Sequence, residues 1–233
     1  MKAEIVSIGT EILLGQITDT NAAHLASQLP PLGIDLYWIS QVGDNLSRIV
    51  DVLSRGWARS DLILTTGGLG PTQDDVTREA IAQLLGEEVR VDATLERDLR
   101  EQFRRWGYRM PEANIKQAWL IPSSQPIPNP RGTAPGWWVE RDGRTLVAMP
   151  GPPGEMTRMW QKEVTPRLKE RVQGVIILSK TLKTLGIGEG SVDEMLGPLL
   201  PSKNPTVAVY AKPDGIHIRI TSKTPTEEEG RRL

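Results

Sequence analysis

The stretch that most constrains this chain is residues 65–75, TTGGLGPTQDD. The apolar run Asp61-Leu62-Ile63-Leu64 precedes it and VTREAIAQLLG follows it. In that second segment Val76, Ala80, Ile81, Leu84 and Leu85 recur at helical spacing. The order is therefore strand, glycine turn, helix. Gly67, Gly68 and Gly70 permit backbone angles closed to other residues and put no side chain between the backbone and a ligand. Pro71 stiffens the exit. The spacing of Thr72 and Asp75 predicts a capping box that starts the helix near Thr72, with Asp74 and Asp75 both in its first turn. Such a turn offers free backbone N–H groups and the positive end of a helix, a setting suited to phosphate. Two adjacent carboxylates beside an anion make sense if a hard divalent cation lies between them. A plain turn followed by an acidic first helical turn is the other reading of the same residues.

Composition narrows the setting. The chain has 233 residues, enough for one or two domains, and a formal net charge of −1 that calls for neither nucleic acid nor an anionic membrane. With no cysteine and only His24 and His217, disulfides, thiolate zinc sites and a histidine-rich metal centre are excluded. The two histidines read as structural. No apolar run approaches a membrane span, and the chain enters a strand directly at MKAEIVSIG, so the expectation is a cytoplasmic protein.

Strands are expected at residues 3–8, 36–42 and 61–64, each followed by a helix: a cap at Thr18-Asp19-Thr20 before Ala22, Leu25, Ala26 and Leu29, then Leu46, Ile49, Val50, Leu53 and Trp57, then the segment after the glycine turn. This alternation argues for a parallel sheet with helices on both faces. A helix is expected at 93–106 and a hairpin at 136–149 around Arg141-Asp142-Gly143-Arg144. Between them the proline-rich residues 121–136 read as a long loop without regular structure. Pro150-Gly151-Pro152-Pro153-Gly154 opens a helix carrying Glu155, and Pro166 restarts a short one running to about Val172. A boundary is expected at Gln173-Gly174, giving domains 1–173 and 174–233. Beyond it come a strand at 175–178, a capping box of Ser191 with Glu194, a hairpin around Pro213-Asp214, and a last helix from Pro225 too short to cover a sheet, as in a piece of a longer protein. Eight basic and seven acidic residues from Val175 onward make no nucleic-acid patch.

Ligands in open α/β sheets bind at the carboxyl ends of strands. Gly9, Thr10 and Glu11 and the loop residues Thr66, Gly67, Gly68, Gly70, Thr72, Asp74 and Asp75 belong there. Glu11, Asp74, Asp75 and Glu155 all follow glycine turns, so they can converge on a metal for hydrolysis of a phosphate ester or anhydride. Glu11 and Glu155 also read as mere complements to helix N-termini, Glu155 the more so. The spacing gives Asp75 to capping and Asp74 to the ligand. Lys116, Asn129, Arg131, Gly132 and Thr133 form a second candidate set, with Gly132-Thr133 the stronger part because lysine and arginine are more often solvated surface. The glycine repeat at 186–190 reads as a plain loop.

SIGTEILLGQITDTNAAHLA, TTGGLGPTQDDVTREAIA, NPRGTAPGWWVE and AMPGPPGEMTRMW together resemble the CinA family of competence- or damage-inducible proteins, over essentially the whole chain. The resemblance implies the fold of molybdopterin-binding proteins, a three-layer mixed sheet between helices, followed by a small KH-like α+β domain. It implies a metal-dependent pyrophosphatase that splits ADP-ribose into AMP and ribose 5-phosphate, using Mg²⁺, Co²⁺ or Ni²⁺. Many family members add a C-terminal domain that deamidates nicotinamide mononucleotide, which is not carried over to these residues. The family's acidic glycine loop falls on 67–75 and its proline-glycine turn on 150–155, including Gly151. In the wider fold the glycine loop and its aspartate hold a pterin phosphate, so a non-catalytic module that binds molybdopterin or a nucleotide remains the alternative. Relatives of this fold usually self-associate, which leads to the expectation of a dimer or trimer.

Overall fold

The computed structural model describes residues 1–172, 174 and 176–233. Its elements are β1 (Lys2–Ile8), α1 (Thr10–Leu13), α2 (Thr20–Gln28), β2 (Asp35–Val42), α3 (Leu46–Arg59), β3 (Leu62–Thr66), α4 (Thr77–Leu85), β4 (Arg90–Val91), α5 (Ala93–Arg105), β5 (Trp119–Leu120), β6 (Ser124–Ile127), β7 (Gly136–Arg141), β8 (Arg144–Met149), α6 (Pro153–Met159), α7 (Thr165–Arg171), β9 (Ile176–Thr184), α8 (Glu189–Leu196), β10 (Thr206–Lys212), β11 (Gly215–Thr224) and α9 (Glu227–Arg232). They fall into two compact units: residues 1–27 with 35–170, and residues 28–34 with 171–233. The expected boundary at Gln173 and the expected strand start at Val175 lie outside the described residues.

The first unit is built on a six-stranded mixed sheet in the order β2-β1-β3-β8-β7-β6. β2, β1, β3 and β8 run parallel, and β7 and β6 are antiparallel. The apolar runs of β1 and β3 are buried on both faces, as central parallel strands require. Val6, Ile8, Ile63, Trp137, Leu146 and Ala148 pack with Ile49 and Leu53 of α3 and Ile81 and Leu85 of α4. Successive strand residues face opposite ways, so the row Ile5, Leu64, Val147 and Trp138 looks to the other side. All four are buried, as are Leu25 of α2 and Met156, Met159, Trp160, Val164 and Leu168 along α6, the turn after it and α7.

The register sets the location of the site. The carboxyl ends of β1, β2, β3 and β8 share one edge of the sheet. β7 runs the other way, with Trp137 opposite Ala148, so its entry after residues 128–135 lies at that same edge.

Several expectations need correction. α4 begins at Thr77 with Val76 as its cap, so residues 72–75 belong to the loop and not to a helical turn. The helix starts late because Thr77 is committed twice to the loop: its N–H reaches Gly68 O at 3.2 Å and its hydroxyl reaches Gly67 O at 2.9 Å. Ser124–Ile127, placed in a structureless loop, is strand β6. Pro126 is tolerated there because β6 pairs only with β7, at the sheet edge. Pro166 does not restart a helix: α6 continues through a π-helical turn at Trp160–Val164 into α7. In the second unit α8 starts at Glu189 on Gly188, so Ser191 lies inside the helix and makes no capping box.

That second unit holds a three-stranded antiparallel sheet in the order β10-β11-β9, with Ile216 and Ile218 packed on Val192 of α8. β9 extends to Thr184, well beyond the expected residue 178. Among the described residues no helix is long and apolar enough to cross a membrane.

Candidate anion site at the strand ends

One cavity of about 840 Å³ opens at the carboxyl edge of the sheet. Its wall includes Gly9 and Glu11 after β1, Asp44 after β2, Thr66 to Thr72 with Asp74 and Asp75 after β3, Gly132 and Thr133 before β7, and Gly151 and Glu155 after β8. The sequence-based set therefore comes together from four separate segments, and Asp44 joins it from a fifth. Three of its members stand behind the wall. Thr10 exchanges bonds with Asp44: its N–H donates to Oδ2 at 2.7 Å, and its hydroxyl accepts from the Asp44 N–H at 3.1 Å. Lys116 is paired with Glu79 at 2.7 Å and donates to Thr72 O at 3.3 Å. Asn129 donates to Ala134 O at 2.9 Å and to Glu155 Oε2 at 2.6 Å. Arg131 turns to Gly154 O at 3.2 Å and also lies off the wall.

The glycine loop is shaped by contacts that admit no side chain. Gly67 has φ +101°, and a Cβ there would overlap the carbonyl oxygen of Ile8. A Cβ on Gly70 would overlap the Asp75 carboxylate. Asp75 Oδ2 accepts from the Thr72 N–H at 2.9 Å and from the Thr72 hydroxyl. The predicted Thr72–Asp75 pair thus exists, but it closes the loop on itself. Gly67 N–H is spent on Met149 O at 3.0 Å. Of the donors expected between 67 and 72, those of Gly68, Leu69 and Gly70 have no partner among the described residues. Three adjacent N–H groups without an internal partner, all from residues of the cavity wall, can receive an anion there.

The carboxylates differ in what they are doing. Asp44 takes Thr10, Asp75 takes Thr72, Glu155 takes Asn129, and Asp19 caps α2 through Ala22 N at 2.9 Å. Glu11 and Asp74 are exposed and accept no hydrogen bond from another element. The Asp74 carboxyl is held below the ordinary aspartate value, first by the Thr72 hydroxyl, whose one proton the geometry directs to Asp75 and which Asp74 can only share, then by its own backbone N–H and the charge of Lys116. Asp74 is therefore ionised at neutral pH and exposed on the cavity wall. In all, six carboxylates line the cavity (Glu11, Asp19, Asp44, Asp74, Asp75 and Glu155), and among the described residues no lysine, arginine or histidine does. No three acidic or histidine side chains among the described residues converge into a ready-made metal cage.

Sequence reasoning missed three residues. Arg78 is fully buried and clamps both loops, donating from Nη1 to Leu69 O at 2.8 Å and from Nη2 to Pro135 O at 3.0 Å. Burial lowers its pKa to about 10, against the raising influence of Glu79 and Asp75. Asn21, 9% exposed, donates to Gly151 O at 2.7 Å and keeps a buried side-chain oxygen without a partner. Gln117 is 1% exposed, yet it lines the cavity. A polar residue in a helical segment carries no sign in its sequence that it faces inward, so none of the three had a local signal.

The family profile described as "Probable molybdopterin binding domain" matches residues 4–170, and the one described as "Damage-inducible protein CinA KH domain" matches 179–233. The crystal structure of the protein CinA with unknown function from Thermoplasma acidophilum is 31% identical; the match covers 98% of that chain and 71% of this one, with a TM-score of 0.67. The chain belongs to the CinA family. The CinA-like protein of Thermomicrobium roseum is 51% identical over 100% of this chain, and that of Deinococcus radiodurans 46% identical over 99%. The chain spans 57% and 58% of the length of these two CinA relatives. The glycine loop and both of its flanking turns fall inside the molybdopterin-binding match; α8 and its three-stranded sheet fall in the KH match.

Proposed function

We propose that the cavity binds a nucleoside diphosphate sugar together with a divalent cation, and that it hydrolyses the diphosphate of ADP-ribose to AMP and ribose 5-phosphate. The observation that carries this is the pairing of a three-donor anion nest with six carboxylates and no basic side chain on one wall. A diphosphate would be repelled from such a wall unless a cation came with it. Glu11 and Asp74 are the carboxylates left free to hold that cation. A small cation such as Mg²⁺ uses one or two carboxylates plus substrate phosphate and water, which fits a site with no three-carboxylate cluster. When bound, the ion neutralises phosphate charge and polarises the attacking water. The cavity volume lies within the range of pockets that enclose a small ligand.

The chain's own residues would do the rest. The N–H groups of Gly68, Leu69 and Gly70 grip one phosphate. Gly132 and Thr133 close the other side, with Glu155 held by Asn129 beneath them. Water adds to one phosphorus, the bridging P–O bond breaks, and the water proton is released to solvent. Both products depart as phosphate monoesters.

A second reading is that the same N–H groups hold a nucleotide or a molybdopterin-type phosphate without cleaving it, since backbone donors at a strand end bind phosphate whether or not a reaction follows. Incubating the protein with ADP-ribose and Mg²⁺, Co²⁺ or Ni²⁺ and measuring AMP separates the two. Metal-dependent AMP release is the expected result; tight binding with no AMP under any of the three metals leaves the binding module.

A further inference from the structure

Beyond the phosphate nest, the cavity has a corner whose residues suit something other than an anion. Gln102 of α5 donates from Nε2 to Gly132 O at 3.2 Å, which pins the last turn of that helix on the loop before β7. Trp106 follows four residues later, on the same side of the helix, and its ring lines the cavity. Phe103 meets it edge to face at a centroid distance of 5.6 Å. That contact supports one edge of the indole, and Trp106 stays 50% exposed. A large aromatic surface left open on a cavity wall can serve as a stacking platform.

Gln117 borders the same Gly132-Thr133 corner. Asn114, itself buried, donates from Nδ2 to Gln117 Oε1 at 3.0 Å. The oxygen end of the Gln117 amide is thereby occupied and its orientation set. Its NH₂ end has no acceptor among the described residues, on a side chain that lines the cavity and is otherwise closed to solvent.

We propose that this corner is a base subsite: Trp106 stacks on the adenine ring of the ligand, and Gln117 donates in the ring plane to one of its nitrogen acceptors. The assignment rests on the diphosphate reading of the nest and adds to it which end of the molecule lies where. The adenosine end sits at Gly132-Thr133 and the ribose 5-phosphate end on the far side of the glycine loop. Gln117 then distinguishes a heterocycle bearing an acceptor from a bare sugar phosphate, which the nest alone would not.

The test uses three probes with the whole chain and Mg²⁺, followed by calorimetry: AMP, ribose 5-phosphate and methylenediphosphonate. The unmodified protein should prefer AMP to ribose 5-phosphate. Trp106→Ala should weaken AMP by about tenfold, in line with the loss of one base–aromatic stack, and change methylenediphosphonate by less than about twofold. Gln117→Leu, which keeps the shape and removes the donor, should weaken AMP several-fold and likewise spare methylenediphosphonate. Equal weakening of all three probes by either variant would mean a structural role and overturn the subsite. So would AMP binding that neither variant disturbs, or a protein with no preference for AMP. Failure of the hydrolysis reading looks different: AMP preference that depends on Trp106, without AMP release from ADP-ribose, retains the subsite and removes the reaction.

Discussion

The two loops that face each other across the cavity are held in opposite ways. The glycine loop after β3 is braced largely from within: Asp75 returns to Thr72, and Thr77 returns to Gly67 and Gly68. The loop before β7 is braced from outside, by Gln102 on Gly132 O, Arg78 on Pro135 O and Glu155 on Asn129. A loop that carries its own braces can present an unoccupied carboxylate, Asp74, on a fixed frame. A loop that borrows its braces takes its shape from α4, α5 and α6. Arg78 serves both, and it does so from a position fully closed to water.

Removing that shared clamp should have the largest effect. Arg78→Met orphans two buried carbonyls at once, and urea unfolding should show a loss of about 3 kcal/mol or more. Arg78→Lys should recover little, since one ammonium cannot reproduce a two-armed guanidinium. A loss below about 1 kcal/mol would show that the loops stand independently. Next comes the free carboxylate of the self-braced loop. Asp74→Asn should reduce metal-dependent AMP release about 100-fold or more, a magnitude typical of losing a group that stabilises developing charge, with the unfolding midpoint unchanged. Normal turnover in that variant would shift the metal-holding role to another carboxylate.

Asp75→Asn should act in the reverse sense. It weakens a charge-assisted bond inside the loop, so about 1 kcal/mol of stability should go while most turnover remains. Turnover lost with Asp75 and kept with Asp74 would exchange the two roles. The smallest effect is a titration. Because the Thr72 hydroxyl is the main influence holding Asp74 low, its NMR midpoint should lie below that of an ordinary aspartate, and Thr72→Val should raise it. The sign follows from linkage: a carboxyl whose folded pKa is depressed favours the folded state above its unfolded pKa and gives up that contribution as pH falls through the folded value. A midpoint in Thr72→Val that stays unmoved would show that the two side chains do not interact.

The same contrast explains what the sequence disclosed. The glycine loop could be read because its braces are local: Thr72 and Asp75 are three residues apart, and Gly70 answers to the nearby Asp75 carboxylate, although Gly67 answers to Ile8 on the neighbouring strand. Even there the helix start was misplaced by five residues, from Thr72 to Thr77, because a capping-box spacing also suits a loop closing on itself. The second loop was visible only as glycine and proline. Its partners Gln102, Arg78 and Glu155 lie 26 to 57 residues away along the chain for the bonds involved, and no periodicity connects them. Gln117 and Asn21 escaped for a related reason. Amides in helical segments look like solvent-facing positions until a packed structure shows what covers them. β6 was missed because proline content was weighed over position, and only pairing with β7 reveals an edge strand. The strand–helix alternation of the first unit was legible throughout, since each buried strand and amphipathic helix carries its pattern internally.

The order of the sheet has a consequence for how the protein is made. β3 finds one neighbour, β1, early in the chain, but its other neighbour is β8, which begins at Arg144. While the ribosome is still producing the middle of the chain, the self-braced glycine loop has no Met149 carbonyl for Gly67, no Gly151 turn beside it and no Glu155 opposite. A nascent chain halted before β8 would expose one edge of β3 and leave the nest unsupported on that side. The cavity is thus a late product of synthesis, finished only when α6 emerges, and a stalled fragment would have no complete cavity.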